Sequence, residues 1–173
     1  MSEQALPLAS PLRMTRLLNR RLHALLQRGQ YATMVYLHVE PRIHRVEWCS
    51  AGGPPPLFVS AAGGQDLDGR GLPLGVRADV DYRSMTTTLP GAGILCAFSD
   101  GLYEGGPGAR DITRAEIAAA LTLPAQRARQ GRLAEATIRA TAVLETLRDR
   151  HACIDHSDDV LAVCLALGPM EGS

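Results

Sequence analysis

The spacing of hydrophobic residues near the start of the chain predicts an amphipathic helix. Ser10 and Pro11 suit the N-cap and the first helical position. Apolar residues then recur at helical spacing, and they are Leu12, Leu17, Leu18, Leu22, Leu25 and Leu26. Gly29 follows the last of them, so we expect it to end the helix as a C-terminal cap.

The middle of the chain is dominated by β-branched, aromatic and alternating residues, which indicate strands. Residues 31–39 and 45–50 flank a turn at 40–42 and form a hairpin pattern. Residues 61–75 are rich in Gly and Asp and indicate a loop. Strands are expected at six places along the sequence: 31–39, 45–50, 57–59, about 79–89, 93–99 and 160–167.

Helical patterns return after the strand block. Thr113 and Glu116 have the spacing of a capping box, which opens a helix. A longer helix is predicted over about 131–150, and its expected buried positions are Leu133, Ile138, Val143, Leu144 and Leu147. Strands grouped in a block, flanked by helices and followed by one last strand, predict an α+β fold.

Composition limits the classes of function. At 173 residues the chain can form one domain with a sizeable core. Its 46% hydrophobic content is that of a globular protein, and no apolar stretch is long enough to span a membrane. The 18 basic and 18 acidic residues balance, which argues against nucleic acid as a partner. The N-terminus lacks a signal-peptide pattern, so we expect a cytoplasmic protein.

The cysteines and histidines show no metal-binding spacing. No CxxC pair joins the four cysteines, which we expect to be reduced thiols that pack as small core residues; they are Cys49, Cys96, Cys153 and Cys164. The five histidines lack an HxxxH pattern, and His38 and His44, in or beside the hairpin, are expected to face solvent.

Acidic residues flank two of the predicted strands. Asp100 directly follows one strand, and Asp158 and Asp159 directly precede the last one. If these strands are antiparallel neighbours, the acids share one edge of the sheet and offer oxygen ligands that suit Mg²⁺ or Mn²⁺. Three further candidate ligands lie nearby in the sequence: Glu104, Asp155 and His156.

A simpler interpretation of these acids remains open at this point. Asp100 and Gly101 form a dipeptide that is common in turns, and aspartates often cap strand edges in solvent. The spacing of the acids does not exclude that interpretation.

Six segments occur in one order along the chain, and they are residues 17–22 (LLNRRL), 31–34 (YATM), 50–57 (SAGGPPPL), 71–75 (GLPLG), 99–104 (SDGLYE) and 158–161 (DDVL). This order closely resembles the SpoIIE/RsbU-type branch of the bacterial PPM (type 2C) serine/threonine phosphatases. The resemblance predicts a phosphatase-like domain over residues 10–168, with a flexible N-terminus at 1–9 and a tail at 169–173.

The resemblance implies a PPM-type α-β-β-α sandwich of antiparallel sheets flanked by helices, with two Mn²⁺ or Mg²⁺ ions between the sheets. In that family a metal-bound water attacks phosphoserine, often on a small anti-sigma antagonist protein. By motif, Asp100 and Asp158 match family metal ligands. Asp159 takes a neighbouring position for which ligation is not assumed.

The chain also departs from the family pattern. The hairpin whose acid bridges both metals and the acid-Gly-His-Gly segment do not occur, and residues 1–9 contain one acid, Glu3. Gly53 stands where the family has His. The sequence therefore predicts an N-terminally truncated site with one weakly bound ion or none, and an impaired phosphatase. The alternative is a non-catalytic PPM-like module that binds a regulatory partner.

Overall fold

The structure of the chain is a computed structural model that describes residues 10–102, 111–151 and 160–170. Its helices and strands are, in chain order, α1 (Pro11–Leu25), β1 (Met34–Glu40), β2 (Arg45–Ala51), β3 (Leu57–Ser60), β4 (Gly63–Asp66), β5 (Met85–Thr88), β6 (Gly93–Phe98), α2 (Arg114–Arg129), α3 (Leu133–His151) and β7 (Ala162–Leu167). A short 3-10 turn, Asp100–Leu102, follows β6.

The described residues form two compact units. The first contains residues 10–40, 45–53 and 69–88, and the second contains residues 41–44, 54–68 and those that follow 88. Within the described ranges, no helix is long and apolar enough to cross a membrane.

The first unit is a three-stranded antiparallel sheet, in the order β1-β2-β5, on which α1 packs. The predicted hairpin is confirmed, because Glu40 lies opposite Arg45 and forms an ion pair with it at 2.8 Å. The predicted strand at 79–89 is confirmed only for β5. The residues before β5 are irregular, since the Asn19 side chain binds the backbone carbonyl oxygens of Arg77 and Ala78.

Helix α1 is confirmed, and its predicted apolar residues Leu12, Leu18 and Leu22 pack against the core of the first unit. Its end and its most buried positions differ from the prediction. It ends at Leu25, which is 78% exposed, and Gly29 lies in the following turn with φ at +89°. The fully buried positions of the helix are Pro11, Met14, Thr15 and Asn19. Polar side chains can occupy this face because they are paired: Thr15 Oγ1 donates a hydrogen bond to the Pro11 carbonyl oxygen at 2.8 Å.

The second unit is a four-stranded antiparallel sheet in the order β4-β3-β6-β7, and α2 and α3 pack against it. Strand β4 was expected to be loop. It pairs with β3 through backbone hydrogen bonds that need no β-forming side chains, and all four of its residues are exposed. Gly64 permits α2 to approach this edge, because a Cβ there would lie 2.8 Å from the Ala118 Cβ atom.

The capping box at the start of α2 is confirmed, with the Glu116 amide donating to the Thr113 hydroxyl and the Glu116 carboxylate bound in return. The buried face of α3 is only partly as predicted. Leu144 is buried, but Ile138 is 70% exposed and Leu133 lies at the surface. The buried positions of the paired helices include small residues that permit close packing: Ala125, Ala128, Ala136 and Ala140.

The expectation that His44 faces solvent is wrong. This residue ends the β1–β2 turn with φ at +51° and is 1% exposed. Its Nδ1 atom has no hydrogen-bond partner among the described residues. Cys49, Cys96 and Cys164 are free thiols, as expected, and Cys153 lies outside the described residues.

Candidate functional site

The two strands that carry the acidic residues in the sequence are antiparallel neighbours. β6 pairs with β7 from Gly93 opposite Leu167 to Phe98 opposite Ala162. The pairing continues one residue further, because the Ser99 amide donates to the Leu161 carbonyl oxygen at 2.9 Å. The Leu161 amide donates in return to Ser99 Oγ, also at 2.9 Å. The neighbour relation assumed from sequence is confirmed.

Asp100 lies two residues after the end of β6 as the first residue of the 3-10 turn, and its side chain is half-buried. The Leu102 amide closes the turn by donating to the Ser99 carbonyl oxygen at 3.2 Å. The Gly101 amide donates to Asp100 Oδ1 at 3.1 Å, the one hydrogen bond to this carboxylate within the described part of the chain. The expected turn is present.

The other sequence-predicted site residues lie outside the described residues. They are Glu104, Asp155, His156, Asp158 and Asp159. Their approach to Asp100 stays a prediction. Among residues 10–102, 111–151 and 160–170, no group of three or more His, Cys, Asp or Glu side chains is arranged to hold a metal ion.

Arg114, the first residue of α2, contacts strands β4 and β6 of the second sheet. The sequence did not predict these contacts. Its guanidinium binds Asp66 Oδ1 at 2.6 and 2.8 Å and donates to the Pro55 carbonyl oxygen at 2.7 Å. It also lies over the Phe98 ring, 5.1 Å from the centroid, two residues before Asp100. One feature of the sequence could have indicated these contacts. Arg114 is a cation at the first position of a helix, where the helix dipole disfavours positive charge, so an acidic partner from elsewhere in the fold is expected.

Gly53, which the resemblance aligns with a family histidine, lies in a crowded position. A Cβ atom there would be 2.9 Å from Val35 Cγ2 and 3.3 Å from the Met34 carbonyl carbon. The Ser50 hydroxyl also donates to the Gly53 carbonyl oxygen at 3.1 Å. A side chain at this position would therefore require the Val35 side chain to move and the Met34 backbone to give way slightly.

Asn19 joins two of the segments that carry the family resemblance. Its Oδ1 atom accepts hydrogen bonds from the Gly75 amide at 2.9 Å and the Tyr82 hydroxyl at 3.2 Å. The Tyr82 hydroxyl shares its one proton between Asn19 Oδ1 and the Leu72 carbonyl oxygen, which lies 2.9 Å away. The segment 17–22 on α1 thus holds the segment 71–75 in place, which gives Asn19 a structural role that its spacing in the sequence did not reveal.

Comparison with characterised proteins identifies two phosphatases of Bacillus subtilis (strain 168) as relatives. The phosphoserine phosphatase RsbP is 29% identical over 100 residues, which are 55% of this chain and 25% of RsbP. The phosphoserine phosphatase RsbU is 30% identical over 89 residues, which are 50% of this chain and 27% of RsbU. The chain therefore matches about a quarter of the length of each relative.

Solved structures with the same fold include the SiaA-PP2C domain of Pseudomonas aeruginosa, with a TM-score of 0.69, 18% identity and coverage of 91% of this chain and 61% of that one. A Mycobacterium tuberculosis protein with RsbU and RsbW domains gives a TM-score of 0.64 at 26% identity, covering 87% of this chain and 41% of that one. RsbX, solved in complex with magnesium, gives a TM-score of 0.58 at 13% identity. The match covers 90% of this chain and 63% of the RsbX chain.

These matches confirm the PPM-type fold that the sequence predicted, with antiparallel sheets and three helices. The sequence pattern of the Stage II sporulation protein E (SpoIIE) family matches residues 1–167, which is nearly the whole chain. This chain therefore belongs to the SpoIIE family.

Proposed function

We propose that the chain is a SpoIIE-type PPM serine/threonine phosphatase domain, which hydrolyses phosphoserine on a regulatory protein in bacterial signalling. The family match and the phosphoserine phosphatases RsbP and RsbU support this proposal. The substrate class is a small phosphoprotein such as an anti-sigma factor antagonist, and the compartment is the cytoplasm. Because the chain matches only part of each relative, its activity, substrate and partners all belong to the proposal.

The cofactor in this proposal is Mn²⁺ or Mg²⁺, held by Asp100 and Asp158, with Asp159 as a weaker candidate. The observation that carries it is the pairing of β6 with β7, which directs the end of one strand toward the start of the other. The Asp100 carboxylate fits this role, because it is a hard oxygen donor with one amide partner among the described residues. A bound divalent ion would lower the pKa of its water and neutralise phosphoryl charge.

Under the same proposal, this chain by itself has impaired phosphatase activity. Two carboxylates and water can bind one divalent ion weakly, but they supply too few ligands to hold two ions at bridging distance. One observation favours the alternative of a non-catalytic partner-binding module. Gly53 is crowded by Val35, so a side chain at the position of the family histidine would have to displace the Val35 side chain.

The test is a calorimetric titration of the chain with Mn²⁺, combined with an assay on p-nitrophenyl phosphate. We expect one weak site and negligible turnover. Asp100→Asn and Asp158→Asn should each weaken Mn²⁺ binding at least about tenfold, because each removes a charged ligand. Asp79→Asn is the matched control, since Asp79 is an exposed acid paired with Arg77 in the other unit, and it should bind Mn²⁺ like the parent chain.

Two tight Mn²⁺ sites, or robust turnover that disappears in Asp100→Asn, would contradict the impaired state. The same measurements on a chain extended by the residues encoded in frame upstream of Met1 separate the two functions. A second metal site and phosphatase turnover in the extended chain would support the enzyme. Continued inactivity in a chain that binds a phosphoprotein would support the partner-binding module.

A further inference from the structure

Two cysteines face each other across the ladder of the second sheet. Cys96 on β6 is the register partner of Cys164 on β7, and the two sulfur atoms are 3.5 Å apart, within hydrogen-bond distance. The residue pairs on both sides, Leu95 with Leu165 and Ala97 with Val163, belong to the same continuous ladder. The cysteines are therefore held side by side by the sheet.

The spacing of directly opposite residues suits a disulfide bond. Such residues in an antiparallel ladder have Cα atoms about 4.5–5.5 Å apart, within the range of about 4.4–6.8 Å that disulfides span. Bond formation requires the sulfur atoms of Cys96 and Cys164 to approach from 3.5 Å to about 2.05 Å. Rotation of the side chains can supply most of this movement while the ladder keeps its register.

The two thiols differ in their access to solvent. Cys96 is completely buried, whereas Cys164 is half-buried and lines a cavity of about 190 Å³ beside Leu102 and Arg148. A small oxidant that enters this cavity meets the Cys164 sulfur first. Cys96 lies behind it, in position to react with whatever forms on Cys164.

The hydrogen bond between the thiols strengthens this asymmetry. The contact with Cys96 lowers the pKa of Cys164, and this effect outweighs that of partial burial, which raises it. The same bond, together with burial, raises the pKa of Cys96. The thiolate is the nucleophile of a cysteine pair, so Cys164 is the residue suited to react first.

We propose that Cys164 and Cys96 form a peroxide-reactive pair, with Cys164 as the attacked residue and Cys96 as the resolving one. The Cys164 thiolate attacks one oxygen of hydrogen peroxide, the O–O bond breaks, and the departing hydroxide takes a proton to become water. The Cys96 sulfur then attacks the sulfenic acid on Cys164, the S–O bond breaks, and the Cys96 proton leaves with a second water. The pair loses two electrons, and one peroxide is reduced to two waters.

The resulting disulfide would link β6 to β7 four residues before Asp100. It would fix the two strands whose ends carry the acids of the proposed metal site. The reaction itself requires neither a metal ion nor phosphatase activity. Its test is therefore independent of the proposed function.

The experiment uses the full chain with Cys153→Ser, because Cys153 shares the tryptic peptide 151–173 with Cys164. The folded protein is treated with hydrogen peroxide, alkylated and digested, and the peptides are identified by mass spectrometry. We expect peptide 84–110, which contains Cys96, to be linked to peptide 151–173, with the loss of two hydrogen atoms and recovery on reduction. Cys49, buried in the other unit, is the internal control and should stay reduced.

Two variants assign the roles of the sulfur atoms. Cys164→Ser should abolish the link and slow peroxide consumption at least about tenfold, since a buried, high-pKa thiol reacts poorly. Cys96→Ala should allow Cys164 to react but leave it as sulfenic and then sulfinic acid. Circular dichroism checks that each variant folds.

The linked peptides of the chain with both cysteines test the proposal even if one of the variants fails to fold. The proposal is overturned if both peptides are alkylated equally with and without peroxide. It is also overturned if the link joins Cys49 instead, or if folded Cys164→Ser consumes peroxide as fast as the chain with both cysteines.

Discussion

Asn19 connects helix α1 to the loop that precedes β5, and its removal provides a quantitative test of the first unit. The side chain is 1% exposed and makes four hydrogen bonds. The two shorter ones join Oδ1 to the Gly75 amide at 2.9 Å and Nδ2 to the Arg77 carbonyl oxygen at 2.8 Å. Asn19→Ala removes all four. The Gly75 amide and the Arg77 and Ala78 carbonyl oxygens lose this partner at the partly exposed loop, whereas the Tyr82 hydroxyl keeps the Leu72 carbonyl oxygen.

The expected loss of unfolding free energy follows from these contacts. Each hydrogen bond contributes a net of about 0.5–1.5 kcal/mol, and a buried group left without a partner costs about 1–3 kcal/mol. Alanine returns about half a kcal/mol through its better helix propensity, and water can reach some of the loop groups. Asn19→Ala should therefore lower the unfolding free energy by about 2–4 kcal/mol.

Urea unfolding measures this change as a fall in midpoint at constant slope. Arg20→Ala is the matched control, because Arg20 is the next residue of the same helix and is exposed, so its effect should stay within about 0.5 kcal/mol. Tyr82→Phe removes one partner of Asn19, and the double variant should show a coupling of at least about 0.5 kcal/mol. Faster amide exchange at Gly75 should accompany the loss.

A loss below about 1 kcal/mol in Asn19→Ala, or one equal to that of Arg20→Ala, would refute the account of Asn19 as the residue that holds the loop. Additive effects of Asn19→Ala and Tyr82→Phe would refute their direct contact.

Substitutions at Arg114 and Gly93 test the second sheet. Arg114→Leu should lower the unfolding free energy by about 1–2 kcal/mol, because it removes both the partly screened ion pair with Asp66 and the hydrogen bond to the Pro55 carbonyl oxygen. Arg114→Lys should recover less than half of this loss, and an unchanged urea midpoint in Arg114→Leu would contradict this role. Gly93→Ala should cost about 2–3 kcal/mol, because its Cβ atom would clash with the Val59 carbonyl oxygen and lie 2.6 Å from the Phe58 ring. Gly131→Ala, with open space and φ at +76°, should cost only about 1 kcal/mol, and equal losses in a thermal unfolding experiment would contradict the steric explanation.

The local elements were largely predictable because their signals lie within a few residues. The capping box formed by Thr113 and Glu116, the hairpin around residues 40–45 and the strand before Asp100 all follow from neighbouring side chains. Strand β4 was not predictable in this way. Its Gly-rich sequence has no strand preference, and it forms because β3 offers a backbone partner and α2 packs beside it.

The buried faces were harder to predict than the elements themselves. The leucine pattern suggested that Leu25 and Ile138 would be internal, yet both are exposed, whereas Asn19 and Ala140 are buried. By hydrophobicity alone, a leucine is expected to be buried in preference to an asparagine. The structure buries Asn19 because four partners satisfy its amide, and Ala140 because its small side chain fits a close-packed helix interface.

The sequence by itself determined the family, the order of the elements other than β4 and the position of Asp100 near a strand end, because these depend on local pattern and ordered motifs. Only the tertiary structure decided that β6 and β7 are neighbours, that Arg114 contacts Asp66 and the Phe98 ring, and that Cys96 faces Cys164. Nearly 70 residues separate the two cysteines along the chain. Contacts at such separation depend on which strand pairing buries the most surface and satisfies the most backbone groups, a property of the whole fold.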